Sequence, residues 1–230
     1  MYMNNRLKFI FERIPKGKGI VDVGTDHGHL AIQLALSDYN GDIFATDIRK
    51  APLNSAIHSA ERLGVKDKIK FILCDGLQGI KPDSIDTIVC AGLGAETITG
   101  ILDRDYWCAA PGYNLFLQPM TMEHVLRYWL INNEFIIKNE YLIEDGNFLY
   151  TVIQATYGKS RLLNDAELFV GDKELLVKNP LFYRKIDIAI NKLLIKINGL
   201  KHADCKCNAV TIHFLENIYQ ELLDMKGRQV

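Results

Sequence analysis

Apolar and polar positions change rhythm along this chain and divide it into two regions. Short apolar runs at residues 19–23, 42–46, 69–73, 85–91 and 114–117 have strand length and end at acidic, glycine or glutamine positions. Helix-period patterns fall near residues 4–13, 28–37, 52–63, 95–102 and 123–132. The first is stopped by Pro15 and Lys16-Gly17-Lys18-Gly19, and the third is closed by Gly64 as a C-cap. Strands that alternate with helices predict a parallel sheet with helices on its faces.

Residues 135–142 and 148–156 are two further extended runs, separated only by Ile143-Glu144-Asp145-Gly146-Asn147. A parallel return needs a crossover of about a dozen residues or more, so this pair must be antiparallel, and Asp-Gly is a hairpin signal. The expected fold is α/β, a mostly parallel, Rossmann-like seven-stranded sheet closed by a C-terminal β-hairpin. That is the strand pattern of class I methyltransferases, whereas dinucleotide-binding domains continue with parallel strands.

After residue 158 the strand rhythm stops. Residues 159–178 are weakly patterned, with a short helix expected around 165–170. Asn179-Pro180 opens a long helix in which Phe182, Ile186, Ala189, Leu193 and Ile197 recur at fours and threes. Residues 199–207 break the pattern, and Thr211, Leu215, Ile218, Leu222 and Met225 resume it. Two arms of similar length predict an antiparallel, coiled-coil-like helical hairpin, and thus domains at 1–158 and 159–230.

Composition changes this picture in two places. At 230 residues, with 48% hydrophobic and 24% charged residues, the chain suits one full domain plus a small helical one. No apolar run nears the roughly 18 residues of a membrane span, and the amphipathic N-terminus is not a signal peptide, so a cytoplasmic protein is expected. Five scattered cysteines, an odd number, fit a reducing compartment. The net charge of −1 hides an asymmetry: 15 Lys/Arg against 19 Asp/Glu up to residue 158, then 12 against 9. Arg184, Lys185, Lys192, Lys196 and Lys201, opposed by Asp187 alone, make a basic stripe on the first arm of the hairpin. Such a stripe is either a solvated face or a grip for phosphates. His202, Cys205, Cys207 and His213 are zinc-ligand types at a spacing that is not a standard finger, and no metal is expected.

The chemistry centres on Asp22-x-Gly24-x-Asp26-x-Gly28, a glycine-punctuated loop between the first strand and its helix. A carboxylate at Asp22 suits a ligand bearing an ammonium or sulfonium group, where a pyrophosphate site has no reason to place one. Asp47, 25 residues on, ends the second strand where a carboxylate can accept both hydroxyls of a ribose, with Ile48 beside it. Asp75, before Gly76, ends the third, within reach of an adenine amino group. Any of these could be a simple turn residue, but three successive strand-end aspartates point to S-adenosylmethionine. Gly-x-Gly-x-x-Gly and Gly-x-x-x-x-Gly-Lys-Ser/Thr are both missing, which disfavours NAD and ATP.

Arg6-Leu7, Val21-Asp22-Val23-Gly24-Thr25-Asp26-His27, Asp47, Asp75-Gly76-Leu77, Ala91-Gly92-Leu93-Gly94, Leu117-Gln118-Pro119 and Leu126-Arg127-Tyr128-Trp129-Leu130 together resemble the bacterial TrmK family. That family comprises tRNA (adenine-22-N1)-methyltransferases with a C-terminal helical coiled-coil domain. The resemblance implies that Asp22, Gly24, Thr25, Asp47, Ile48, Asp75, Gly76, Ala91, Gly92 and Gly94 hold the cofactor. It implies tRNA as partner, with His29 and Pro119 on the substrate side; Arg184, Lys185, Lys192 and Lys196 of the basic stripe are expected to join them, with no membrane and a monomer or weak homodimer. The chain departs from the family at His29, where a tyrosine is usual, at Ala95 for a glycine, and at Met120, where Gln-Pro is followed by asparagine.

The N1 of neutral adenine already carries a lone pair, so methyl transfer needs positioning and charge complementarity rather than a strong base. Asp26 and His27 are the candidates for stabilising the cationic methylated adenine, and Gln118 for hydrogen-bonding the edge of a flipped base. Two other readings stay open on the residues: a diverged fold that binds cofactor or RNA without catalysis, and a methyltransferase for a non-RNA substrate.

Overall fold

A computed structural model describes residues 3–202 and 208–227 and divides the chain into two compact units, Met1–Arg161 and Leu162–Val230. The first unit runs α1 (Asn5–Phe11), β1 (Gly19–Val23), α2 (His29–Leu36), β2 (Asp42–Asp47), α3 (Lys50–Arg62), β3 (Ile69–Leu73), β4 (Thr87–Leu93), α4 (Ala95–Arg104), β5 (Asn114–Pro119), α5 (Glu123–Asn132), β6 (Phe135–Asp145) and β7 (Phe148–Tyr157). The seven strands form one sheet in the order β3-β2-β1-β4-β5-β7-β6. All neighbours are parallel except β7, which runs antiparallel to both β5 and β6.

Local sequence accounts for the element ends. Asn4 caps α1 through its side chain, which accepts the Leu7 N–H at 3.0 Å. Gly64, at φ 69°, takes the left-handed turn after α3. The central strands β1 and β4 are buried over most of their length because helices cover both faces. Ile20, Leu30, Ile32, Val89 and Phe116 form the core between sheet and helices. The hairpin is tighter than its composition suggests. Asp145 pairs with Phe148, leaving Gly146-Asn147 as a two-residue turn, with Gly146 at φ 59°.

One charged cluster lies inside this core. Arg127 of α5 is fully buried; its Nε donates to Glu140 Oε1 of β6 at 2.6 Å and its Nη2 to Glu123 Oε2 at 3.1 Å. Thr151 of β7 donates to the same Glu123 oxygen, so the cluster fixes α5 against the hairpin strands.

The second unit holds α6 (Asp165–Val170), α7 (Lys173–Leu176), α8 (Phe182–His202) and α9 (Ala209–Gly227). Asn164 and Glu167 form a capping box at the start of α6. Ion pairs Lys201–Glu216 at 2.7 Å and Asp187–Lys226 at 2.6 Å show that α8 and α9 are antiparallel. Phe182, Ile186, Ile190, Leu193 and Ile197 meet Leu215, Ile218, Leu222 and Met225 in the seam. Two seam positions differ from the heptad reading: Ile190 is buried where Ala189 is only half-buried, and Thr211 is exposed. Lys185 is a larger correction. Sequence places it on the basic stripe, but it is buried, with only 8% of its surface exposed. Cys205 and Cys207 lie outside the described residues. Among the described residues no helix is long and apolar enough to cross a membrane.

Candidate active site

At the carboxyl edge of the sheet, the loop from β1 to α2 is built on alternate left-handed residues: Gly24 at φ 69°, Asp26 at φ 51° and Gly28 at φ 73°. A Cβ on Gly24 would stand 3.0 Å from Leu93 Cδ2, and one on Gly28 2.8 Å from Ala56 Cβ. Aspartate is among the few other residues that adopt this conformation readily, so Asp26 keeps the backbone of a glycine while adding a charge. Thr25 N–H donates to Thr46 O at 2.8 Å and Asp26 N–H to Asp47 Oδ2 at 3.1 Å, which ties the loop to the end of β2.

Asp22 lies beneath this loop and is 5% exposed. It accepts a hydrogen bond from Thr25 Oγ1 at 2.6 Å and one from the backbone N–H of Ala31. Burial pushes its carboxyl up to about 6, helped by the charge of Asp47 and opposed by those two bonds. The expectation that Asp22 and Thr25 present their polar atoms directly to a ligand is therefore corrected: both face inward and shape the loop.

The cleft beside the loop gathers the three strand ends. Val23 and Gly24 lie at the end of β1, Asp47 and Ile48 at the end of β2, and Asp75 and Gly76 in the loop just after β3, with Leu93 and Ile101 also lining it. Asp47 is almost fully buried, and its Oδ1 accepts the Arg49 N–H at 2.8 Å. Its Oδ1 also lies 3.5 Å from Arg49 Nε, while Oδ2 accepts only the Asp26 N–H and keeps a lone pair for a hydroxyl donor. Ile48 is 64% exposed beside it, an apolar surface for a flat ring. Asp75 is paired with Arg104 at 3.0 Å and stays partly open.

On the other side of Leu93 the ends of β4 and β5 form a second surface. Gln118 is fully buried. Its Oε1 accepts from the Gly92 N–H at 3.1 Å and from Arg6 Nη1, and its Nε2 donates to Pro119 O at 2.9 Å. Arg6 Nη1 also reaches Met120 Sδ at 3.3 Å. Met120 N–H bonds Leu93 O at 2.8 Å, which joins this surface to the cleft. Beyond it Met122 is left-handed at φ 53° and opens α5. At the loop tip Asp26 stands 3.6 Å from both His27 Nε2 and Arg49 Nη2, and His27 Nδ1 is 3.0 Å from Ser55 Oγ. His29 has its pKa lowered by burial and by His27, and its Nδ1 finds no hydrogen-bond partner among the described residues.

The chain is similar to known methyltransferases. The family model described as "Methyltransferase domain" matches residues 3–153. The chain is 29% identical to the tRNA (adenine(22)-N(1))-methyltransferase of Bacillus subtilis (strain 168) over 188 residues, 80% of this chain and 79% of that protein. The solved B. subtilis m1A22 tRNA methyltransferase TrmK has 25% identity, covers 98% of this chain and 99% of its own, and superposes with a TM-score of 0.86. M. capricolum TrmK, solved with the natural cofactor product S-adenosyl-homocysteine, has 27% identity and a TM-score of 0.82, covering 99% of both chains. The chain belongs to the TrmK family of methyltransferases.

Within that family frame the candidate residues divide by where they lie. Gly24, Asp47, Ile48, Asp75 and Gly76 converge on one cleft, while Ala91, Gly92 and Gly94 flank Leu93 at its rim. Asp26 and His27 come together on the loop, each 55% exposed at the side chain. Gln118 and Pro119 are corrected. Both are buried, and Gln118 spends its amide inside the protein, so neither meets a base edge. Arg184, Lys192 and Lys196 are exposed on α8, whereas Lys185 is not. Sequence reasoning gave no role to Arg6, Arg49 or Arg104, each of which holds a site residue from a distant or adjoining segment. Arg49, two residues after Asp47, had a local signal; Arg6 stood only among the residues that carry the family resemblance, and Arg104 had no signal.

Proposed function

We propose that the chain transfers a methyl group from S-adenosylmethionine to N1 of an adenine in tRNA. Position 22 is the one stated in the name of its B. subtilis relative. The observation that carries this reading is the convergence of Gly24, Asp47–Ile48 and Asp75–Gly76 on a single cleft in a methyltransferase fold. The donor set fits the cofactor. Gly24 leaves room where a Cβ would meet Leu93, and Asp47 retains an acceptor for a ribose hydroxyl. Ile48 and Ile101 are apolar walls for a purine, and Asp75 can accept from its amino group. When bound, the cofactor supplies an activated methyl group on a sulfonium.

The chain's own residues position and balance charge. Asp22 places negative potential beneath the loop without touching the ligand. Asp26, held by His27 and Arg49, provides a carboxylate beside the edge where a methylated adenine becomes cationic. Lys192 and Lys196 provide phosphate contacts on the helical hairpin. A tRNA substrate sets this work in the cytoplasm.

Incubation with labelled S-adenosylmethionine and unmodified tRNA, followed by nucleoside mass spectrometry, tests the reading. The expected product is 1-methyladenosine. Cofactor binding with no transfer to any tRNA would refute it, and Met120→Asn would then show whether that residue is the reason.

A further inference from the structure

β7 is antiparallel to β5, with Leu117 opposite Ile153, so the register carries Tyr150 to the level of Met120 at the carboxyl edge. The β6–β7 turn therefore projects past the same edge as the proposed methyl-transfer site. It is clamped by the N-terminal helix: Asn5 Nδ2 donates to Glu144 O at 3.0 Å, and Arg6 Nε lies 3.8 Å from Asp145 Oδ2. The Arg6 guanidinium sits 4.9 Å from the centre of the Tyr150 ring and also reaches the Met120 sulfur. Phe148, 67% exposed, stands next in line with its ring centroid 6.2 Å from that of Tyr150.

A phenylalanine left this exposed contributes little to the fold, and a pinned hairpin tip presents it with little freedom left to lose. A flat ring backed by a second aromatic and a guanidinium is the combination that takes a nucleobase by stacking, with the positive charge favouring the anionic chain that carries it. We propose that Phe148, supported by Tyr150 and Arg6, stacks on an unpaired nucleobase of the RNA substrate beside the adenine to be methylated. This rests on the tRNA reading above and deepens it. The stack adds affinity and register but reads no base identity, because every base offers a π-face.

Phe148→Ala, Phe148→Leu and Phe148→Trp test it through KM for tRNA, kcat, cofactor affinity by calorimetry, and Tm. The alanine variant should raise KM for tRNA roughly tenfold, the size of one lost base–aromatic stack, with cofactor affinity and Tm unchanged. Tryptophan should restore it and leucine should not. An unchanged KM in Phe148→Ala, or full restoration by leucine, would overturn the stack while leaving the methyltransferase reading intact. So would a loss of Tm and cofactor affinity together. A wild-type protein that neither binds nor methylates tRNA would overturn both.

Discussion

Asp22→Asn removes a buried charge while keeping the shape of the side chain beneath the cofactor loop. In the folded chain burial holds this carboxyl near 6 against an ordinary 3.8, so the native state keeps a proton that the unfolded chain releases. The stability this group contributes is present below about pH 4 and is lost as pH rises through about 6. A gap of about two pH units, at about 1.4 kcal/mol each, makes the loss about 3 kcal/mol. Asparagine does not titrate. Between about pH 4 and pH 7 the unfolding free energy of the variant should therefore shift by about 3 kcal/mol in its favour relative to wild type, measured by urea denaturation without cofactor. Binding should move oppositely. A cationic ligand favours the ionised carboxylate, so wild-type affinity for S-adenosylmethionine should climb through about pH 6, with proton release, and the variant's should be weaker and flat. A stability difference that stays constant across this range would show that Asp22 does not titrate as a buried, unpaired acid.

Four further outcomes follow from the same geometry. Arg127→Leu strands Glu140 in the core, so it should cost about 3–5 kcal/mol in denaturant unfolding, unless Glu140 is replaced as well. Asp26→Gly keeps the left-handed backbone and should leave Tm near wild type while lowering kcat for tRNA; an unaltered kcat would remove the carboxylate from catalysis. Lys192→Glu with Lys196→Glu should weaken tRNA binding and flatten its salt dependence without changing cofactor affinity. Lys185→Glu should instead lower Tm, because that side chain is buried.

The alternation of strands and helices made the sheet readable, and the short connection after residue 142 required the antiparallel pair. The spacing Asp22-x-Gly24-x-Asp26-x-Gly28 marked the loop, and the structure gives all three later positions the left-handed backbone that Gly and Asp tolerate. What escaped was the direction in which polar side chains point. Gln118 ends a strand at the functional edge, as a ligand-facing residue would, yet its partners are the backbone of β4 and an arginine 112 positions earlier. Lys185 fits a basic stripe by spacing, and only tertiary packing reveals that it is covered. Asp22 was placed correctly at the strand end, but its inward orientation follows from Thr25 and the first turn of α2 closing over it. Local periodicity carries information about faces; Gln118 and Lys185 are settled by packing across the fold, and Asp22 by the closure of the adjoining loop and helix.

The clamp made by α1 also has a consequence for how the domain is assembled. Strands β1 to β4 and the residues that line the cleft all lie between Gly19 and Ile101 in the sequence. Arg6, however, waits for Gln118, Asp145 and Tyr150, so α1 closes some of the longest loops in the domain. The cofactor half can therefore form early during synthesis, while the acceptor edge is completed last, when both ends of the domain meet at one guanidinium.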